Sequence, residues 1–154
     1  MGETAVAQEL PVRSPSAESW VAFDIDHEFY GFGDLIRPRF AAWAPGRAKV
    51  IAQEGDHLLN RHGRLHGGAG LTLMDMVMGM ACFYRGPGFD QIEGVTISMN
   101  AQFLASVGPG PVTAIGRVTR QGRKTVFAES EILDAGGQVC FLGTGVFKVI
   151  SRPG

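Results

Sequence analysis

The stretch LHGGAGLTLMDMVMGMACFY, residues 65–84, decides the fold of this chain. Gly67 and Gly68 precede a run whose apolar residues fall on every side of a helix, which is typical of a helix buried in a core. Asp75 is the only acidic residue of the run, and a carboxylate in such surroundings is costly unless it is paired or hydrogen-bonded. We therefore expect a helix over 68–84 in which Asp75 is present for chemistry.

The composition is that of an ordinary globular chain. With 154 residues, a single domain is expected. Apolar residues make up 45% of the chain and charged residues 19%, and the net charge of −1 gives no basic surface that would suggest a nucleic-acid partner. Cys82 and Cys140 lie in apolar stretches, which indicates reduced core thiols and a cytoplasmic location rather than a disulfide.

Composition also marks the start of the domain. Residues 1–15 are small, polar and proline-bearing, and we expect a disordered tail there without a signal peptide, followed by a single domain over 16–154. The aromatic residues of 16–32 predict a segment that packs on the fold, with Ser16 capping a short helix. The run at 65–84 is long enough to span a membrane, but its histidine, its aspartate and its four glycines disfavour that interpretation.

Strand-like stretches flank the helix on both sides. Pro45-Gly46 separates two of them before the helix, and the later strands are joined by short glycine-bearing connections that are typical of antiparallel neighbours. The stretch 94–104 alternates apolar and polar residues, which predicts one buried and one polar face. Gly143 and Gly145 suggest a bend or a close approach by another backbone. The predicted strands are 36–44, 47–53, 94–104, 112–119, 125–133 and 139–150. The predicted fold class is α+β, with a curled antiparallel sheet around one long buried helix.

The order of elements and one motif carry a family resemblance. Asn60-x5-His66-Gly67-Gly68-x6-Asp75 resembles the hotdog-fold acyl-CoA thioesterases, in particular the phenylacetate-pathway (PaaI-like) branch that includes thioesterase superfamily member 2. The stretches GVTISMN, after the helix, and QGRK, at a later turn, also match, and the resemblance extends over 36–150. It implies a hotdog fold, hydrolysis of acyl-CoA without a cofactor, and a homodimer or homotetramer with each active site at a subunit boundary.

The resemblance also implies roles for single residues. Asn60 and the Gly67 amide would polarise the thioester carbonyl, and His66 would lie near the leaving sulfur. Asp75, from the facing subunit, would be the general base or the nucleophile. Thr96 stands where close relatives have a hydroxyl that helps to hold water.

A further group of residues is expected to contact the substrate. Gly68 would let the substrate approach the backbone closely, and Met78 would line an acyl pocket. Some relatives have Ser or Thr one turn after the acid, where this chain has Gly79, which leaves room for a wider acyl group. The cations of one turn would contact coenzyme A phosphates, or else form only a solvated hairpin tip. These cations are Arg120, Arg123 and Lys124.

Each site residue also has a plain structural interpretation. The glycines could simply begin a helix, although a helix N-terminus offers the unpaired N–H groups and the positive dipole end that an oxyanion needs. Asp75 could be a satisfied structural carboxylate, Asn60 could only turn a loop, and His66 could be a core histidine. A metal site formed by Asp56 and the nearby histidines is disfavoured, because the spacings match no common zinc pattern.

Three functions remain open at this point. The first is hydrolysis of acyl-CoA thioesters. The second is a hotdog enoyl-CoA hydratase or dehydratase, although these usually pair a loop histidine with a helix acid at other spacings. The third is a non-catalytic acyl-CoA-binding protein, against which the placement of Asp75 argues. The acyl group itself is not encoded in any motif that we recognise.

Overall fold

A computed structural model describes residues 20–22, 31–53, 55–86, 88 and 92–151. The predicted tail at 1–15 and the predicted cap at Ser16 lie outside these residues. The described residues include one 3-10 turn, at Asp56–Leu58. In chain order, the α-helices and strands are β1 (Val21–Ala22), α1 (Phe32–Ile36), β2 (Pro38–Ala44), β3 (Arg47–Ala52), α2 (Gly67–Phe83), β4 (Glu93–Phe103), β5 (Val112–Gln121), β6 (Thr125–Leu133) and β7 (Val139–Ser151).

The seven strands of the described residues form one antiparallel sheet in the order β1-β2-β3-β5-β6-β7-β4. The sheet curls around α2, so the predicted fold class is confirmed. The predicted ends of the six strands and of α2 lie within two residues of the observed ones. The chain crosses over after β4, because β4 pairs with β7 and β5 pairs with β3. This crossover leaves β4 as the last strand at one edge.

One face of α2 packs tightly on the concave side of the sheet. Leu73, Met74 and Val77 have no exposed surface, and each such buried side chain contributes about 1.5–3 kcal/mol by leaving water. The closest approach is at Gly116 of β5, where an added Cβ would lie only 2.6 Å from the carbonyl oxygen of Val77. Any side chain at position 116 would therefore push the helix away from the sheet.

The other face of α2 is not covered by the residues that the structure describes. Leu71 is exposed, and Asp75 and Gly79 are half-buried, although the surrounding sequence is apolar throughout. The expectation that the sequence buries the helix on every side is thus met on the sheet side only. An apolar helix face without a cover in one chain indicates that something else covers it.

A β-bulge changes the predicted faces of β4. Thr96 is paired with Phe147 and Ser98 with Val146, so that Ile97 is the extra residue. Strict alternation would place Val95 and Ile97 in the core, but they are 48% and 56% exposed, and the prediction for this end of the strand is wrong. The physical reason is that one inserted residue exchanges the two faces of a strand, and here it turns Thr96 towards α2.

The remaining predictions on packing concern the amino-terminal segment and β7. Trp20 lies against the sheet, with its ring 5.0 Å from the guanidinium of Arg47 and 5.3 Å from the ammonium of Lys49. Phe32, at the other end of the predicted aromatic segment, is 61% exposed, and most of this segment lies outside the described residues. A Cβ at Gly143 would lie 2.8 Å from Met74 Sδ, so the close approach at this glycine is made by a side chain of α2 rather than by another backbone.

The sequence also raised the questions of a membrane-spanning helix and of a metal site. No described helix has both the length and the apolar character that are needed to cross a membrane. No group of three or more histidine, cysteine or acidic side chains in the described ranges is arranged to hold a metal ion.

Candidate functional site

Asp75 and Thr96 form the acidic half of the candidate site. The Thr96 hydroxyl donates a hydrogen bond of 2.7 Å to Asp75 Oδ1. A donor to a carboxylate stabilises its ionised form, which is the form that a base or a nucleophile requires. No other described residue donates a hydrogen bond to Asp75.

The start of α2 forms the second half of the candidate site. His66 is the N-cap, and its Nδ1 accepts a hydrogen bond of 2.9 Å from the Gly68 amide. This bond assigns the proton of the neutral ring to Nε2, which can then donate. Gly67 is the first helical residue, and its N–H group cannot pair within the helix. Gly67 thus offers an amide to a ligand, whereas the amide of Gly68 is already engaged.

Asn60 belongs to the same half of the site. Its Oδ1 accepts hydrogen bonds from the backbone N–H groups of His62, at 2.9 Å, and Arg64, at 3.2 Å. These two bonds fix which side of the amide faces the turn, so that Nδ2 points away from it as a donor. A bridge between Leu59 and Leu65 closes this loop and brings Asn60 next to the start of α2. Asn60 is therefore both a turn residue and a candidate carbonyl donor.

The two halves of the site lie too far apart in one chain to act on one carbon atom. Gly67 and Asp75 are eight residues apart in a regular helix, which at 1.5 Å per residue is about 12 Å. A carbonyl that accepts from the Gly67 amide cannot also lie within about 3.5 Å of the Asp75 carboxylate of the same chain. One chain therefore contains two half-sites.

The residues predicted to line an acyl pocket have different environments. Gly79 lies one turn after Asp75, and a Cβ there would meet only the ring of Phe147, at 3.9 Å. Met78 has no exposed surface and packs against Gly145 in the core. The space beside Gly79 is open, whereas Met78 is not accessible from the surface of this chain, and its contact with substrate stays a prediction.

The predicted basic turn lies at the Thr96 end of the sheet. Arg120, near the end of β5, is exposed, as are Arg123 and Lys124 in the turn that leads to β6. The carbonyl of Lys124 accepts a hydrogen bond of 2.9 Å from the amide of Val149, which is paired with Gly94 at the start of β4. The turn is thus two strands away from the start of β4.

Sequence reasoning missed two residues at the site. Lys148 is exposed and is paired with Thr125, beside the basic turn, but only the pairing of β6 with β7 brings it there. Phe103 was expected in the core because of the alternation of β4, yet it is 52% exposed. An atom of its ring lies 3.5 Å from the place of a Cβ on Gly67. In the sequence, the only sign that Phe103 is exposed is that the predicted strand ends close to it.

A separate polar groove of about 290 Å³ lies on the outer face of the sheet. Arg117 lines it and forms ion pairs of 3.0 Å with Glu129 and 3.1 Å with Glu131. The helix α2 lies on the opposite side of the sheet.

Comparisons with known proteins show the family and the fold of this chain. Residues 62–141, just over half of the chain, match the thioesterase superfamily. A protein of Saccharolobus solfataricus that is named as an esterase is 33% identical over 105 residues, which cover 68% of this chain and 73% of that protein.

Two solved structures are also similar. A conserved protein of Pseudomonas aeruginosa is 31% identical, with a TM-score of 0.71, over 79% of this chain and 95% of the other. Zebrafish thioesterase superfamily member 2 is 27% identical, with a TM-score of 0.69, over 79% of this chain and 87% of the other. The resemblance expected from the sequence is thereby confirmed: the chain has the hotdog fold and belongs to the thioesterase superfamily, a family of hydrolases that cleave thioesters.

Proposed function

We propose that this protein hydrolyses acyl-CoA thioesters to a free acid and coenzyme A, with Asp75 as the catalytic carboxylate. One observation carries the proposal. Asp75 is held by the Thr96 hydroxyl on a helix face that the described residues leave uncovered, and the same helix begins with an amide at Gly67 that has no partner within the helix. The superfamily membership supports the cleavage of a thioester, and the acyl-CoA substrate and the residue roles are the proposal.

The reaction needs stabilisation of the oxyanion and an activated nucleophile. The thioester oxygen would accept hydrogen bonds from the Gly67 amide and from Asn60 Nδ2, and donors of this kind each contribute about 10²-fold or more to the rate. Asp75 would take a proton from water as the water oxygen attacks the carbonyl carbon, or would attack the carbon itself. The C–S bond then breaks, and the thiolate leaves and takes up a proton, for which His66 Nε2–H is a candidate donor. If Asp75 attacks directly, water then hydrolyses the resulting acyl anhydride, which releases the acid and regenerates the carboxylate.

A second copy of this chain would complete each site. β4 is an eleven-residue edge strand with exposed apolar side chains, and such an edge is a template for pairing with another strand. If β4 pairs antiparallel with its own copy about a two-fold axis, the start of one strand lies beside the end of the other. This places Thr96 and Asp75 of one chain near Phe103 and Gly67 of the partner. We propose a homodimer as the active unit, with a homotetramer as a further assembly.

The phosphates of coenzyme A would lie at the basic turn. Arg120, Arg123 and Lys124 are exposed there, and Lys148 adds a fourth cation next to them. Phosphate groups are bound well by guanidinium and ammonium groups of this kind. We place the activity in the cytoplasm, because both cysteines are free thiols, and in one domain over 16–154.

The substitution Asp75→Asn tests the proposal. It keeps the shape of the side chain and can still accept the Thr96 hydrogen bond, but an amide can neither activate water nor attack the carbonyl. Thiol release should fall at least 10³-fold, while thermal unfolding moves little. Substantial turnover by a well-folded variant would refute the role of Asp75. Hydration of an enoyl thioester without thiol release would instead indicate a hydratase, and binding without any turnover would indicate an acyl-CoA-binding protein.

A further inference from the structure

Phe103 is a large apolar side chain at an unusual place. It ends the edge strand β4, it is 52% exposed, and its ring lies beside the first residue of α2. Two of its ring atoms are 3.5 and 3.6 Å from the position of a Cβ on Gly67. The ring therefore stands next to the amide that we assign to the thioester carbonyl. An exposed aromatic ring at the edge of a proposed reaction centre requires an explanation.

The orientation of this ring is fixed by its neighbours. Phe103 and Phe141 make an edge-to-face contact with centroids 4.6 Å apart and planes at 75°. Phe141 is buried and presses onto the first turn of α2, where a Cβ on Gly70 would come within 2.4 Å of its ring. Gly70 thus allows Phe141 to seat on the helix, and Phe141 in turn supports Phe103. The exposed ring is a rigid wall and not a loose surface side chain.

We infer that Phe103 determines acyl specificity by contacting the apolar acyl chain of the thioester. This inference rests on the proposed function, because it places the carbonyl at the Gly67 amide. The ring of Phe103 lies against Phe141 and beside Gly67, and neither of these residues has a polar side chain. Such a wall matches a hydrocarbon chain, whereas the pantetheine arm carries two amides that would need hydrogen-bonding partners. The preferred substrates are therefore thioesters whose acyl chain extends beyond acetyl and is apolar.

The test compares Phe103→Ala and Phe103→Leu with the unaltered protein on acetyl-, butanoyl- and hexanoyl-CoA. An acyl chain that covers part of the Phe103 ring removes apolar surface from water, and this tightens binding of the transition state about tenfold. For Phe103→Ala, we expect kcat/KM to fall about tenfold or more on hexanoyl-CoA and less than about threefold on acetyl-CoA. Phe103→Leu keeps part of the apolar wall, so its kcat/KM on hexanoyl-CoA should lie between the values of Phe103→Ala and of the unaltered protein.

Leu104→Ala is the matched control. Leu104 is the next residue, it is 57% exposed, and along an extended chain its side chain is directed to the other side. This variant should keep the substrate preference of the unaltered protein. A shift of preference in Leu104→Ala as large as that in Phe103→Ala would overturn the inference.

Two further outcomes separate this inference from the proposed function. An equal loss on all three thioesters in Phe103→Ala and Phe103→Leu, with thermal unfolding at the normal temperature, would overturn acyl recognition while leaving thioester hydrolysis intact. Absence of thiol release from every thioester by the unaltered protein would overturn the proposed function, and this inference with it.

Discussion

Replacing Asn60 by Asp separates the two roles that the structure gives this residue. The Oδ1 atom of Asn60 accepts two backbone hydrogen bonds that hold the loop before α2, at 2.9 and 3.2 Å. An aspartate has a carboxylate oxygen at the same place and can accept both. The substitution removes only the Nδ2 donor, and it adds a negative charge where the proposed oxyanion develops. Asn60→Ala removes both the acceptor and the donor.

The expected magnitudes follow from these contacts. Loss of one oxyanion donor costs about 10²–10³ in kcat, and the added charge makes the loss larger, so we expect kcat of Asn60→Asp to fall at least 10²-fold. The free energy of unfolding should change by less than about 1 kcal/mol, because the turn is kept. Asn60→Ala should lose similar activity and also lose about 1–3 kcal/mol of stability, at about 0.5–1.5 kcal/mol for each of two hydrogen bonds.

The assay measures thiol release and thermal unfolding on the same preparations. The two cysteines of the chain are buried, so a thiol reagent reports on coenzyme A and not on the protein. Asn60→Asp with normal kcat, beside an Asn60→Ala variant whose activity follows its folded fraction, would show that Asn60 only turns the loop. That result would refute the role of Asn60 as a donor. The Gly67 amide would then be the one remaining proposed donor to the thioester carbonyl.

Three other predictions concern α2 and its neighbours. Thr96→Val removes the 2.7 Å hydrogen bond to Asp75 and should lower kcat about tenfold with KM nearly unchanged, whereas an unchanged kcat would show that Asp75 needs no positioning. Gly79→Ala should raise the melting temperature, since a Cβ meets only the Phe147 ring at 3.9 Å and alanine favours a helix by about 1 kcal/mol; a lower melting temperature would show that the space is filled. Burial raises the pKa of the Cys82 thiol to about 12 from an ordinary 9.0, so the unfolded chain releases this proton first as the pH rises. Stability should therefore be unaffected by this group below pH 9 and fall by up to about 1.4 kcal/mol per pH unit above it, and urea unfolding of Cys82→Ala should lack this part of the slope.

The fold could be predicted because each of its elements has a strong local pattern. The apolar run before Tyr84 predicts α2, and the strands have short turns between them that fix their ends. The order of the strands could not be read in the same way. β4 does not pair with β5, its neighbour in sequence, but with β7, and no local pattern of residues marks this pairing.

The candidate site was predicted from its residues, whereas its geometry could not be. The spacing of His66, Gly67 and Asp75 indicated α2 as the candidate helix, and the family resemblance supplied the expected roles. The contact of Thr96 with Asp75 depends on the bulge at Ile97, which appears only when β4 is paired with β7. A strict alternation of faces would have directed Thr96 away from the helix. The exposed ring of Phe103 was missed for the same reason, since a pattern gives the side of a strand but not what covers it.

The central claim is that each active site takes its donors from one chain and its acid from another, and a mixing experiment tests it most directly. Asp75→Asn chains keep the donors and lack the acid, whereas Asn60→Asp chains keep the acid and lack one donor. When the two inactive proteins are mixed in equal amounts and allowed to exchange subunits, half of the dimers are mixed, and each of these has one intact site out of two. The account predicts recovery of about a quarter of the normal thiol release, from the two-fold symmetry of such a dimer. If the variants exchange subunits and the mixture stays inactive, the site lies within a single chain and the account is contradicted.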